Sequence, residues 1–158
     1  MNSTVLYGSR YGNTRRVAEA VAGVLRRQGE VRLLPVEEAA GSLSRATDLL
    51  VVGGPTEGHA MTPAVAECLD QLASAGLHGV PAAAFDTRLR WPRRLSGSAA
   101  SDIAARLRRA GAQVLEPEGS FLVTMRGPAL RPGELERAEA WAASIATAAA
   151  RHAAPARR

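Results

Sequence analysis

The chain has 158 residues, with 20 arginines and no lysine against 15 acidic residues; its net charge is +5 and 46% of it is hydrophobic, which is the size and apolar content of one folded domain and excludes a disordered chain. The single cysteine, Cys68, excludes an internal disulfide and any multi-cysteine metal centre. No apolar run reaches the roughly 18 residues of a membrane span and no basic, cleavable leader precedes the first strand, so a soluble, cytoplasmic protein is expected.

Residues 4–7 are a short apolar run ending at Gly8. Val17, Val21, Val24 and Leu25 then recur at helical spacing, which predicts a helix over residues 14–28 stopped by Gly29. Strands are predicted over 31–34 and 48–53; both are continuously apolar, as a strand covered on both faces requires. Between them, residues 37–46 are weakly patterned and predict one short helix. Thr62 and Pro63 read as the cap and first turn of a helix whose inner face is Val65, Cys68, Leu69 and Leu72. Cys68 is therefore read as a small core residue. A fourth strand is predicted over 80–85, and a helix over 97–110 with Ile103 and Leu107 inward. A fifth strand follows over 113–123, interrupted at Glu116 and Pro117, and a last helix runs over 134–150 with acids in its first turn. Five strands alternating with about five helices predict an α/β domain over residues 1–150 with a parallel sheet. Residues 151–158 are rich in Ala and Pro and are read as a disordered tail. Three arginines lie in that tail, and removing them leaves a net charge of +2. With 4% aromatic residues the chain offers few platforms for stacking bases, so nucleic acid is not an expected partner.

In open α/β sheets ligands bind beyond the carboxyl ends of the strands, near the point where strand order reverses. The turn after strand one, Gly8-Ser9-Arg10-Tyr11-Gly12-Asn13-Thr14, leads directly into a helix. Its main-chain N–H groups, the positive end of the helix dipole, two hydroxyls and an amide suit a phosphate without lysine or metal. An ordinary capped turn fits the spacing equally well. The turn has no lysine of the GxxxxGK[ST] kind and no GxGxxG run, and no GxSxG elbow occurs in the chain. No metal-ligand set and no catalytic side chain is assigned.

The segments Val5-Leu6-Tyr7-Gly8-Ser9-Arg10-Tyr11-Gly12-Asn13-Thr14 and Asp48-Leu49-Leu50-Val51-Val52-Gly53-Gly54-Pro55-Thr56 resemble the opening and the third strand with its following loop of flavodoxins. Length and element order agree over about residues 3–150. The resemblance implies a three-layer sandwich: a five-stranded parallel sheet, order 2-1-3-4-5, with helices on both faces. It implies FMN held without a covalent link. By position, Ser9, Arg10, Tyr11, Gly12, Asn13 and Thr14 would hold the 5′-phosphate. Pro55, Thr56, Glu57, Gly58 and His59, continuing to Met61, would line one face of the flavin ring, and the loop containing Asp86, Thr87, Arg88 and Trp91 the other. Trp91 is either a stacking aromatic or a surface residue before Pro92; His59 or Met61 would take the place of a loop aromatic that many flavodoxins have, and His59 is otherwise a solvated loop residue.

Two departures from the family pattern stand out. Tyr11 replaces the usual central threonine of the phosphate loop. Arg88, Arg90, Arg93 and Arg94 lie where flavodoxins are usually acidic, and they read either as a site for an acidic partner or nicotinamide phosphate, or as a solvated loop. The resemblance implies a monomeric electron carrier, more plausibly than a stand-alone enzyme, working between a flavodoxin reductase and an acceptor enzyme. The alternatives are a flavodoxin-like NAD(P)H- or quinone-dependent oxidoreductase and a binding module that has lost the cofactor.

Overall fold

The computed structural model describes residues 1–39 and 47–153. Strand β1 (Ser3–Tyr7) pairs in parallel with β2 (Val31–Pro35) on one side and β3 (Leu49–Pro55) on the other. Strand β4 (Pro81–Leu89) extends the sheet beyond β3, and its far edge is shared by two short strands, β5 (Gln113–Val114) and β6 (Gly119–Val123). The order is β2-β1-β3-β4-β5, every pairing parallel, with β6 continuing the β5 position. This is the expected order, with the fifth strand in two pieces. The break falls at Glu116-Pro117, where proline has no N–H for a ladder.

Alternate strand side chains point to opposite faces, and two cores result. Val5, Val51, Ala83 and Phe85 face one way and meet α1 (Asn13–Leu25) and α5 (Glu134–Ala153). Leu6, Leu50, Val52, Ala82 and Ala84 face the other way and meet α2 (Pro63–Ala75) and α4 (Ala99–Arg109). The layers are therefore those predicted. Cys68 lies in the second core, and burial, followed by the charge of Glu37, pushes its thiol up to about 11, which makes it an inert core residue. Under the carboxyl end of the sheet, Phe85, Phe121 and Trp141 pack edge to face with centroids 5.9–6.2 Å apart. Gly53 makes room for this trio, because a Cβ there would lie 2.1 Å from Phe85 Cζ.

Several boundaries differ from the sequence expectation. Strand β4 continues to Leu89 rather than stopping at Phe85, because β6 supplies partners for Phe85–Leu89 and β3 for Asp86 and Thr87. The segment expected as a loop from Asp86 is thus strand up to Leu89. The helix expected over 97–110 is a short α3 (Arg93–Ser96), a break at Gly97, and α4 capped by Ser98, whose hydroxyl accepts the Ser101 N–H at 3.3 Å. Thr62 does precede α2, but its side chain makes no cap bond. Val36–Glu38 form one 3-10 turn; most of the short helix expected over 37–46 lies outside the described residues. Helix α5 continues to Ala153, into the expected tail, the rest of which is also outside them. Among the described residues no helix is long and apolar enough to cross a membrane.

Candidate functional site

Strands β1, β3, β4 and β6 end side by side, and the turns that leave them enclose two adjoining hollows of about 310 and 200 Å³. Strand order reverses between β1 and β3, which is where such a sheet opens a crevice.

The turn after β1 is organised by Ser9, whose Oγ accepts the N–H groups of Gly12 at 3.1 Å and Arg15 at 3.4 Å. Helix α1 carries no other side-chain cap, and the main-chain N–H groups of Tyr11, Asn13 and Thr14 meet no acceptor among the described residues. Gly12 has φ +88°, and a Cβ there would meet nothing within 4 Å, so the turn faces open space. Arg10 reaches Glu57 across the cleft at 3.7 Å and stacks on Tyr11. The Thr14 hydroxyl bonds that of Thr87 at 2.8 Å, joining α1 to β4 in the buried floor. Asn13 donates its amide N–H to Pro128 O at 3.1 Å and so ties in the turn after β6.

The turn after β3 is a tight hairpin. Glu57 and Ala60 exchange main-chain bonds at 2.9 and 3.1 Å around Gly58 and His59, with φ +53° and +73°. Two successive positive φ values define a type I′ turn, which glycine accepts freely and histidine only under constraint. The constraint is Gly97, packed so closely that a Cβ there would lie 1.8 Å from His59 O.

Asp86 sits beneath both hollows, fully buried, and does not line them. Its Oδ2 accepts from Thr56 Oγ1 (3.1 Å), Ser98 Oγ (2.8 Å) and Ala100 N–H (3.2 Å), and its Oδ1 from Ser120 Oγ (2.7 Å). One carboxylate thereby joins the turn after β3, β4, the start of α4 and β6. Its role is to position the mouth, and that replaces the direct contact expected from sequence. Ser120 Oγ in turn accepts from Arg88 Nε at 2.7 Å, and Arg88 Nη1 donates to Leu89 O (3.3 Å) and Trp91 O (2.7 Å).

The larger hollow brings together Ser9, Arg10, Tyr11, Asn13, Thr14, Pro55, Thr56, Glu57, Thr87 and Arg88; Gly58, His59 and Trp91 line the smaller, which shares Thr56, Arg88 and Leu89 with it. Gly12 shapes the turn without lining either hollow, and Met61 faces a separate depression beside Asp102, Arg106 and Arg109. Val123, Thr124, Met125 and Pro128 also line the larger hollow. The rule that ligands lie beyond the carboxyl ends of strands, applied to strand five as well, would have found them.

FMN, the group implied by the resemblance, needs an anion site, a slot for a flat ring and a rim open to solvent. The open turn with its spare N–H groups meets the first need. The joined hollows, in the range of about 300–1,000 Å³ usual for small-molecule sites, meet the second. Tyr11, Trp91, Leu95 and Met125, 49–67% exposed, surround the opening and meet the third. The residues present fit the group.

The chain matches the family model described as Flavodoxin over residues 5–141. Flavodoxin 2 from Bacillus cereus superposes with a TM-score of 0.78 at 20% identity, over 94% of this chain and 99% of that one. A flavodoxin from the domain Archaea gives 0.75 at 22%, over 95% and 99%. The flavodiiron protein from Giardia intestinalis gives 0.77 at 25%, covering 96% of this chain and 36% of its own. No curated protein matches. With the sheet order, the open turn after β1 and the family match in agreement, the chain belongs to the flavodoxin family, whose cofactor is FMN.

Proposed function

We propose that this chain carries single electrons between a reductase and an acceptor enzyme, with FMN seated in the paired hollows. When bound, FMN supplies the redox chemistry; the protein supplies position, electrostatics and access. Ser9 and the free N–H groups of Tyr11, Asn13 and Thr14 would hold the phosphate, in a turn shaped by Gly12. Thr87, Arg88 and the Glu57–Ala60 turn would orient the ring, and Trp91 and His59 would flank it.

The observation that carries the reading is the ring of exposed apolar side chains around the opening. Tyr11, Trp91, Leu95 and Met125 are the large apolar residues most exposed among those described, and each lines a hollow at this one mouth. Such a rim suits transient docking of a redox partner beside the cofactor. Of the four arginines expected to steer an acidic partner, Arg88 is engaged by the mouth and Arg93 lies 3.7 Å from Glu118. Steering is therefore assigned to Arg90 and Arg94, both exposed.

A second reading, an oxidoreductase that uses NAD(P)H or a quinone directly, draws on the smaller hollow between His59 and Trp91 as space for a substrate. Photoreduced, FMN-loaded protein separates the two. A carrier reduces a one-electron acceptor in a single turnover and shows no steady consumption of NADPH in the presence of a quinone. Sustained NADPH consumption without an added reductase would replace the carrier reading with the enzyme reading.

A further inference from the structure

Arg88 stands apart from the other cations near the mouth. It is half-buried, it lines both hollows, and three hydrogen bonds fix it: Nε to Ser120 Oγ, and Nη1 to the carbonyls of Leu89 and Trp91. A guanidinium has five N–H donors in a rigid fork. Those bonds use Nε and Nη1, and the two N–H groups of Nη2 have no acceptor among the described residues. Ser120 passes the restraint down to Asp86, whose own charge is already met by four donors, including the first turn of α4. The compensating anion thus lies below the floor, and the cation lies at the cleft.

We infer that Arg88 is a fixed positive charge directed at the cofactor, which favours the flavin more strongly after it has gained negative charge by reduction than before, and that Ser120 and Asp86 are positioning residues for it. This rests on the FMN reading above. A guanidinium that only gripped the phosphate would strengthen both redox states alike, whereas one facing the ring discriminates between them. The consequence is a reduction potential set higher than the same fold would give without this cation.

The test is a spectroelectrochemical titration of the FMN-loaded wild type, Arg88→Gln and Arg88→Lys, with dithionite as reductant. Arg88→Gln is expected to lower the preference for reduced over oxidised FMN about tenfold, which is about 59 mV for a one-electron step. The loss of affinity should therefore be about tenfold greater for reduced than for oxidised FMN, and Arg88→Lys should recover most of the shift. Should Arg88→Gln fail to fold, Ser120→Ala, which frees Nε and keeps the charge, is expected to move the potential in the same direction by less. An unchanged potential in a variant that still binds FMN overturns the inference. So does equal weakening of both redox states, which would assign Arg88 to the phosphate. A wild type that takes up no FMN would instead refute the underlying cofactor reading, and refute this one with it.

Discussion

Replacing Asp86 by Ala is expected to cost about 3–5 kcal/mol of folding stability, the range for breaking a buried charged network from one side. The carboxylate is fully buried and accepts from Thr56, Ser98, Ala100 and Ser120. Its removal leaves a buried main-chain N–H and three hydroxyls short of an acceptor and removes the acceptor that fixes Ser120, the anchor of Arg88. These donors come from the turn after β3, the start of α4 and β6, so the same change should loosen those walls of the mouth at once. Asp86→Asn keeps the volume but turns one acceptor edge into a donor, and should fall between wild type and Ala. Urea unfolding of the three proteins measures this. A loss below about 1 kcal/mol for Asp86→Ala would show that the network is not a fastening point.

Gly97→Ala should damage the site from outside it. Gly97 has φ +67° and ψ −173°, a region that is almost exclusively glycine's, and a side chain there costs about 1–3 kcal/mol in backbone strain alone. The added Cβ would also fall 1.8 Å from His59 O, against backbone and not against a flexible side chain. The hairpin at Gly58 and His59 has to move, and it lines the smaller hollow. FMN affinity is expected to drop about tenfold, equivalent to about 1.4 kcal/mol, in protein that remains folded but melts earlier. Unchanged affinity would mean that this turn does not touch the ring.

Local signals in the sequence carried much of this architecture. The helical spacing of Val17, Val21 and Leu25, the continuous apolar strands and the glycine turn after β1 each depend on neighbours within a few residues. What could not be read depends on contacts distant in sequence. Strand β4 outruns its apolar stretch because β6, more than thirty residues on in the chain, pairs with it as far as Leu89. Asp86 reads as a loop ligand because the resemblance puts the second flavin loop directly after the apolar run of strand four. Its burial is understandable only once Ser98 and Ser120 are seen to converge on it. The arginines of residues 88–94 looked alike in sequence and are not, since Ser120 and two carbonyls hold one of them at the cleft.

The measurement that tests the central claim most directly is an absorbance titration of the purified protein with FMN and, separately, with riboflavin, which lacks the phosphate. One FMN should bind per chain, more tightly than riboflavin, and Thr14→Ala should weaken FMN by about 1–3 kcal/mol through loss of the hydroxyl that ties α1 to Thr87. A protein that binds neither compound, or binds both equally, would contradict an account in which the turn entering α1 grips the phosphate.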